Sequence, residues 1–177
     1  MYALQQPQAL HPFHVTVTTE RPHHAEAIEA LVDLDFGPDR LRKTAYRLRD
    51  GVAPISDLGM VAVDGSRLLG TIRYWQVHVA GAPKTLLLGP IAIHPDHQGQ
   101  GIGSTLMITS LDNAKALGWD AVILVGDEPY YRRFGFRRAL AENLALPGPV
   151  DPARFLGLEL TDGALQSASG MVKRAAH

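Results

Sequence analysis

The chain predicts a mixed α/β (α+β) layer fold: one twisted β-sheet carrying helices on both faces. Three observations carry that prediction. Residues 86–93 and 121–125 are apolar strand patterns separated by a helical one, so they should pair in parallel through a right-handed crossover. Residues 58–63 and 68–79 are strand patterns joined by a turn at Asp64-Gly65, which makes them antiparallel neighbours. Gly99, Gly101 and Gly103 lie between the first buried strand and the helix, where the chain must reverse at the sheet end.

Each element follows from its local pattern. Residues 1–12 are read as a loose arm. From His14 to Thr19, Val15 and Val17 alternate with polar residues, as in a half-buried strand. Ala25, Ile28, Leu31, Val32 and Leu34 keep helical spacing until Gly37-Pro38 ends the run. A second, more basic helix is expected from Asp39 to about Arg49, with Leu41, Tyr46 and Leu48 as its apolar contacts. Gly81-Ala82-Pro83 then turns the chain into a strand whose Leu86, Leu87, Leu88, Ile91 and Ile93 suggest cover on both faces. Pro95 cannot continue a ladder and stops it. From Ile102, the residues Leu106, Met107, Ser110, Leu111, Ala114 and Leu117 share one helical stripe, and Gly118 supplies the stop. Residues 126–136, GDEPYYRRFGF, read as a helix of under two turns. Asp127 or Glu128 can cap it, Pro129 suits its first turn and Gly135 its left-handed end. After Pro147 the tail offers further strand material at Phe155–Leu160 and Ser169–Lys173.

Composition narrows the function classes. A chain of 177 residues with 46% hydrophobic content is read as one domain over 1–177, its residues 147–177 an extension packing on the sheet. Net charge is −1, which marks neither a nucleic-acid binder nor a membrane-surface protein. No apolar run reaches the ~20 residues of a bilayer span. The first residues lack the basic start and apolar core of a secretory signal, so a cytoplasmic protein is expected. The absence of cysteine removes disulfides, thiolate metal sites and a Cys nucleophile. His11, His14, His23 and His24 cluster early, yet His23 and His24 are adjacent rather than at i, i+4. Surface histidines are the simpler reading, and no metal is expected.

The glycine turn carries the chemistry. A strand, a glycine-rich turn and a helix start aim unpaired backbone N–H groups at the sheet's mouth, where a diphosphate can sit. The dinucleotide fingerprint G-x-G-x-x-G does not fit here, because the third glycine spacing differs. Gln98-Gly99-Gln100-Gly101-Ile102-Gly103, preceded by Ile93-His94-Pro95, resembles motif A of the GNAT family of N-acetyltransferases. That resemblance covers roughly residues 14–140 and implies the family's fold, in which a central parallel strand pair splays to admit acyl-CoA. It implies acetyl-CoA as co-substrate, held by Ile91, Ala92, Ile93, Gln98, Gly99, Gln100, Gly101, Ile102, Gly103 and Ser104. Backbone N–H groups near Ile93 would meet the thioester carbonyl.

Tyr131, four residues before the Gly135-Phe136 pair, matches the family's Y-x-x-x-G-F tyrosine, which protonates the departing thiolate. A phenol of pKa about 10 is protonated at neutral pH and suits that task. The plainer alternative makes Tyr130 and Tyr131 packing residues with satisfied hydroxyls. Arg132 and Arg133 either assist the coenzyme's phosphates or form a solvated face. The family's asparagine at the end of the second parallel strand is replaced by Leu124, and GDEPYYRRFGF is similar to the YhbS-like branch.

The resemblance implies a small-molecule or peptide amine acceptor and is compatible with a homodimer. One wall of the acceptor site would come from residues 25–49, with the joining loop Asp35 to Asp39. Tyr74, Trp75 and Trp119 either line that site or fill the core. No acid lies between Lys84 and His94 to serve as a base, which leaves His78, His94, Asp57 and Asp127 as candidates elsewhere. The same fold could instead hold acyl-CoA without turnover, as a sensor.

Overall fold

A computed structural model describes residues 14–175; the arm expected over 1–12 lies outside the described residues. Strand β1 (Thr16–Thr19) precedes helix α1 (Ala25–Phe36), which ends at Gly37 with φ +76°. Strands β2 (Met60–Asp64) and β3 (Arg67–His78) form the expected hairpin about Gly65, and β1 pairs antiparallel with β2. Strand β4 (Thr85–Ile93), helix α3 (Ile102–Ala116) and strand β5 (Ala121–Val125) form the β-α-β unit, numbered to leave α2 for a short helix at Thr44–Arg47. β4 and β5 are parallel, as the unbroken apolar runs required.

The apolar runs sort by alternation. Leu86, Leu88, Val122 and Leu124 face α3 with Leu106, Met107 and Leu111. Leu87, Ala121 and Ile123 face the other way, onto Leu48, Leu146 and Phe155. Farther along that second face, α1 lays Ile28, Leu31 and Val32 against Val61 and Ala92. Strand β7 (Phe155–Glu159) pairs antiparallel with β5, after a two-residue strand β6 (Leu144–Ala145). The expected 169–173 strand is split into β8 (Gly170–Met171), which pairs with β6, and β9 (Lys173–Arg174), which pairs with β3. Among the described residues no helix is long and apolar enough to cross a membrane.

The helix expected over 39–49 is not continuous. Pro38–Arg42 forms a 3-10 turn, Lys43 is extended at ψ 144°, and only Thr44–Arg47 is α-helical. Tertiary ties override the local pattern. Arg40 is drawn inward to Glu29 (2.6 Å) and Asp33 (2.7 Å), while Thr44 Oγ1 donates to the Pro149 carbonyl. Arg73 extends that network by gripping Glu20 (2.6 Å) and Glu29 (3.0 Å), which ties α1 to β3.

Tyr74 is buried in the core, Trp119 packs half-buried against it, and Trp75 donates its indole N–H to the Gly89 carbonyl (2.7 Å). The buried Tyr74 hydroxyl meets Ser110 Oγ at 2.7 Å. Tyr74→Phe should lower unfolding free energy by about 1 kcal/mol, the net value of one such bond, read by urea titration. Ser110 keeps its bond to the Leu106 carbonyl, so no second group is orphaned.

Candidate functional site

The parallel ladder between β4 and β5 is short. It runs from Thr85↔Ala121 to Leu87↔Ile123 and stops, so the strands part from Leu88 and Leu124 onward. The register of β3 against β4 shifts at the same level: Ile72 faces Ile91 but Tyr74 faces Leu88, leaving Arg73 opposite both Gly89 and Pro90. Two residues against one is a bulge, which bends β4 away from β5. Pro90 is tolerated there because a bulge needs no ladder donor.

The glycine turn sits at the mouth of this split. Gly99 and Gly101 have φ +76° and +83°, and a Cβ on either would meet open space, so their exposed backbone is free for close approach. The first helical bond of α3 is Thr105 N–H to the Gly101 carbonyl (3.0 Å). Among the described residues, none of the seven backbone amides from Gln98 to Ser104 has a protein acceptor. A row of bare amides at a helix start is a ready anion cradle. The cavity in front of it, about 490 Å³, is lined by Gln98, Gly99, Gly101, Ile102, Gly103 and Ser104, and also by Asp35, Ile91, Ile93 and Arg133. Gln100 is at the turn itself and faces His97 (3.3 Å).

The amides of β4 divide by alternation. His94 N–H donates to the Leu69 carbonyl (2.8 Å), so in the same register Ala92 is bonded to β3 while Ile91 and Ile93 point away, toward the split. Ala92 turns its side chain under α1. The Ile93 amide faces the Asp35 carboxylate; burial pushes that acid above its ordinary value, while the nearby amide pulls the other way. Gln98 Nε2 reaches both the Ile93 carbonyl (3.3 Å) and Asp35 (3.4 Å). Ile91 is therefore the β4 amide left facing the cleft. The resemblance places Asp35 on the acceptor wall, but it lines the glycine-turn cavity instead, because α1 ends beside β4.

Tyr130 and Tyr131 sit on helix α4 (Glu128–Tyr131), continued by a 3-10 turn that Gly135 closes at φ +98°. Asp127 occupies the cap position but makes no capping bond, because its carboxylate pairs with Arg154 at 3.2 Å. The two rings meet edge to face at 4.9 Å. Tyr130 is exposed, holds its hydroxyl about 3.0 Å from where a Gly103 Cβ would lie, and carries the Arg133 guanidinium 4.5 Å over its ring. Tyr131 is deeper, packed against Gly126 and Phe136. Burial pushes its phenol up to about 12, with the neighbouring Tyr130 and Asp127 adding to the effect. Both tyrosines belong to the wall shared with a second cavity.

That second cavity, about 450 Å³, lies on the far side of the tyrosines, between the ends of β4 and β5 and the Phe36–Arg49 segment. Its size is that of a small-molecule site. Arg40, Lys43, Arg49 and Arg154 line it, against two carboxylates, Asp127 and Asp151. Of the four base candidates named from sequence, only Asp127 reaches it; His94 instead takes the Asp96 N–H (3.3 Å) at the strand end, and His78 pairs in register with Lys173 at the other end of β3. Tyr74, Trp75 and Trp119 do not line it. Among the described residues no group of three or more His, Asp or Glu is placed to hold a metal.

Comparison with known proteins gives one consistent result. The model of the acetyltransferase (GNAT) family matches residues 25–136. The uncharacterized N-acetyltransferase YhbS of Escherichia coli strain K12 is 31% identical over 164 residues, covering 91% of this chain and 96% of that protein. The crystal structure of E. coli YhbS in complex with CoA superposes with a TM-score of 0.78 at 30% identity, over 92% of this chain and 91% of that one. A GNAT family acetyltransferase from Brucella melitensis, solved with acetyl-CoA, gives a TM-score of 0.57 at 30% identity over 81% and 95% of the two chains.

Proposed function

The chain belongs to the acetyltransferase (GNAT) family, and from that premise we propose that it moves an acetyl group from acetyl-CoA to an amine by direct attack on the thioester. The observation that carries this reading is the row of unbonded amides from Gln98 to Ser104 at the mouth of the β4–β5 split, with Tyr131 on the wall between two cavities. The CoA and acetyl-CoA held by the two solved relatives support it.

In this reading the pyrophosphate rests on the amides of the glycine turn and the pantetheine arm follows Ile91, Ala92 and Ile93. The thioester then lies beside Tyr131, and the amine enters from the second cavity. The amine nitrogen bonds to the carbonyl carbon as the C–S bond breaks. The Ile91 amide, which faces the split, donates to the carbonyl oxygen as it gains charge. The Tyr131 proton passes to sulfur, and the proton lost by nitrogen goes to water.

Energetics bound these roles. From a phenol at about 12 to a thiol near 8.5, proton transfer is uphill by about 4.8 kcal/mol. That fits within the barrier of about 16 kcal/mol for a turnover of ~10 per second. The phenol acts as a donor that follows the breaking bond. A lysine-like amine costs about 4.6 kcal/mol to hold neutral at pH 7, an α-amino group only about 1 kcal/mol. Asp127 is tied to Arg154, so the α-amino class, which needs no strong base, suits this cavity better.

Two measurements test the proposal together. Calorimetry should detect acetyl-CoA binding, and release of free thiol should depend on added amine. No heat with any CoA thioester would overturn the reading; tight binding with no thiol release from any amine would replace it with a sensing module. A further check uses Gly126, where a Cβ would run into the Tyr131 ring. Gly126→Ala should cut kcat by about tenfold to a hundredfold through that displacement while leaving the KM for acetyl-CoA within about twofold.

A further inference from the structure

Arg49 stands apart from the other cations of the second cavity. Arg40 is paired with Glu29 and Asp33, Arg154 with Asp127, and Lys43 is an exposed cation over the Phe36 ring. Arg49 is 9% exposed, and among the described residues no carboxylate pairs with it. Its buried Nε has no hydrogen-bond partner. The guanidinium is held by rings instead: 4.5 Å over Tyr46 and 5.9 Å from Trp75, with its end packed against the Gly89 backbone.

A buried, charged N–H without an acceptor is uncommon in a folded protein and calls for a partner. Burial pushes the Arg49 pKa down to about 10, so the group is cationic at neutral pH even here. Neighbouring Arg40 adds to that pressure, and only the Tyr46 hydroxyl opposes it. The guanidinium is planar, stacked and fixed against the bulge that opens the split. Such a fork matches a carboxylate in two parallel hydrogen bonds.

Building on the acetyltransferase reading, we propose that the acceptor is an amine that also carries a carboxylate, anchored by Arg49 in the second cavity. With Asp151 of the same lining offsetting Lys43, one uncompensated guanidinium balances one carboxylate, whereas a dianionic phosphate would leave charge over. The α-amino acids combine this carboxylate with the low-pKa amine that an unaided site can use.

The test compares each α-amino acid with its own carboxamide, and O-phosphoethanolamine with ethanolamine. Thiol release is measured at saturating acetyl-CoA, and calorimetry is run on the CoA-saturated protein. The free acid of at least one amino acid should exceed its carboxamide by about tenfold to a hundredfold in kcat/KM and in affinity, the range of a charge-assisted bond. In Arg49→Met that ratio should collapse toward one, and in Arg49→Lys it should recover in part, with CoA affinity unchanged in both. Carboxamides equal to or better than the acids in the wild-type protein would overturn the proposal without any variant needing to fold. So would a ratio that survives Arg49→Met, or a preference for O-phosphoethanolamine over every amino acid. Because the calorimetric comparison needs no turnover, acids that bind without thiol release would sustain the anchor and sink only the transferase reading.

Discussion

Replacing Gly101 with aspartate is expected to abolish CoA binding and leave the fold standing. Gly101 is the residue before α3, at φ +83°, and a Cβ there meets nothing within 4 Å. The variant therefore has room in the free protein, and aspartate tolerates the left-handed region better than most residues. A carboxylate placed among the Gln98–Ser104 amides meets the pyrophosphate with like charge. At about 4 Å and an effective dielectric near 20, that repulsion is about 4 kcal/mol, or roughly a thousandfold in Kd. Calorimetry with CoA reads the loss, and the melting temperature should stay within a few degrees of the parent. Gly101→Ala separates the two components, because it keeps the strain and removes the charge. CoA binding by Gly101→Asp at parental strength would mean that the glycine turn is not the phosphate site.

Tyr131→Phe should lower kcat by about a hundredfold, the scale of losing a positioned proton donor, with little change in the KM for acetyl-CoA. Its pH profile carries a second signature. A phenol pushed up to about 12 keeps its proton far past neutrality, so the active form is lost only as pH rises toward 12. In the parent enzyme kcat/KM should climb between pH 6 and 9 as the amine becomes neutral, with no alkaline fall from Tyr131 below about pH 11. Unchanged turnover in Tyr131→Phe would remove this phenol from the mechanism. Tyr130→Phe is the companion variant: its hydroxyl lies over Gly103, so any effect there should appear in CoA affinity rather than in kcat.

Much of the site could be read along the chain because it is sequential. The glycine turn, the strand before it and the helix after it occupy residues 85–116 without interruption, and short-range geometry dictates how those amides point. The individual roles of Arg49, Asp35 and Arg154 left no such trace, although the resemblance already draws residues 25–49 along the acceptor wall. Arg49 is distinguished by a missing partner, and a missing partner is a property of the whole packed neighbourhood. Asp35 faces Ile93 and Gln98 only because α1 and β4 meet 58 residues apart in the chain. The helix expected over 39–49 is broken for the same reason: Leu41 and Leu48 keep helical spacing, two turns apart, but ties from Arg40 and Thr44 fix the backbone instead.

What the amino-acid sequence determined by itself was the order and type of the central elements, since hydrophobic period, proline and glycine act over a few residues. The parallel β-α-β unit and the hairpin at Gly65 follow from that alone. Only the tertiary structure decided where β4 and β5 part, which strand amides remain open, and which buried cation lacks a counter-charge. Those outcomes depend on register, bulge and long-range ion pairing, whose energies are set by groups distant in the chain.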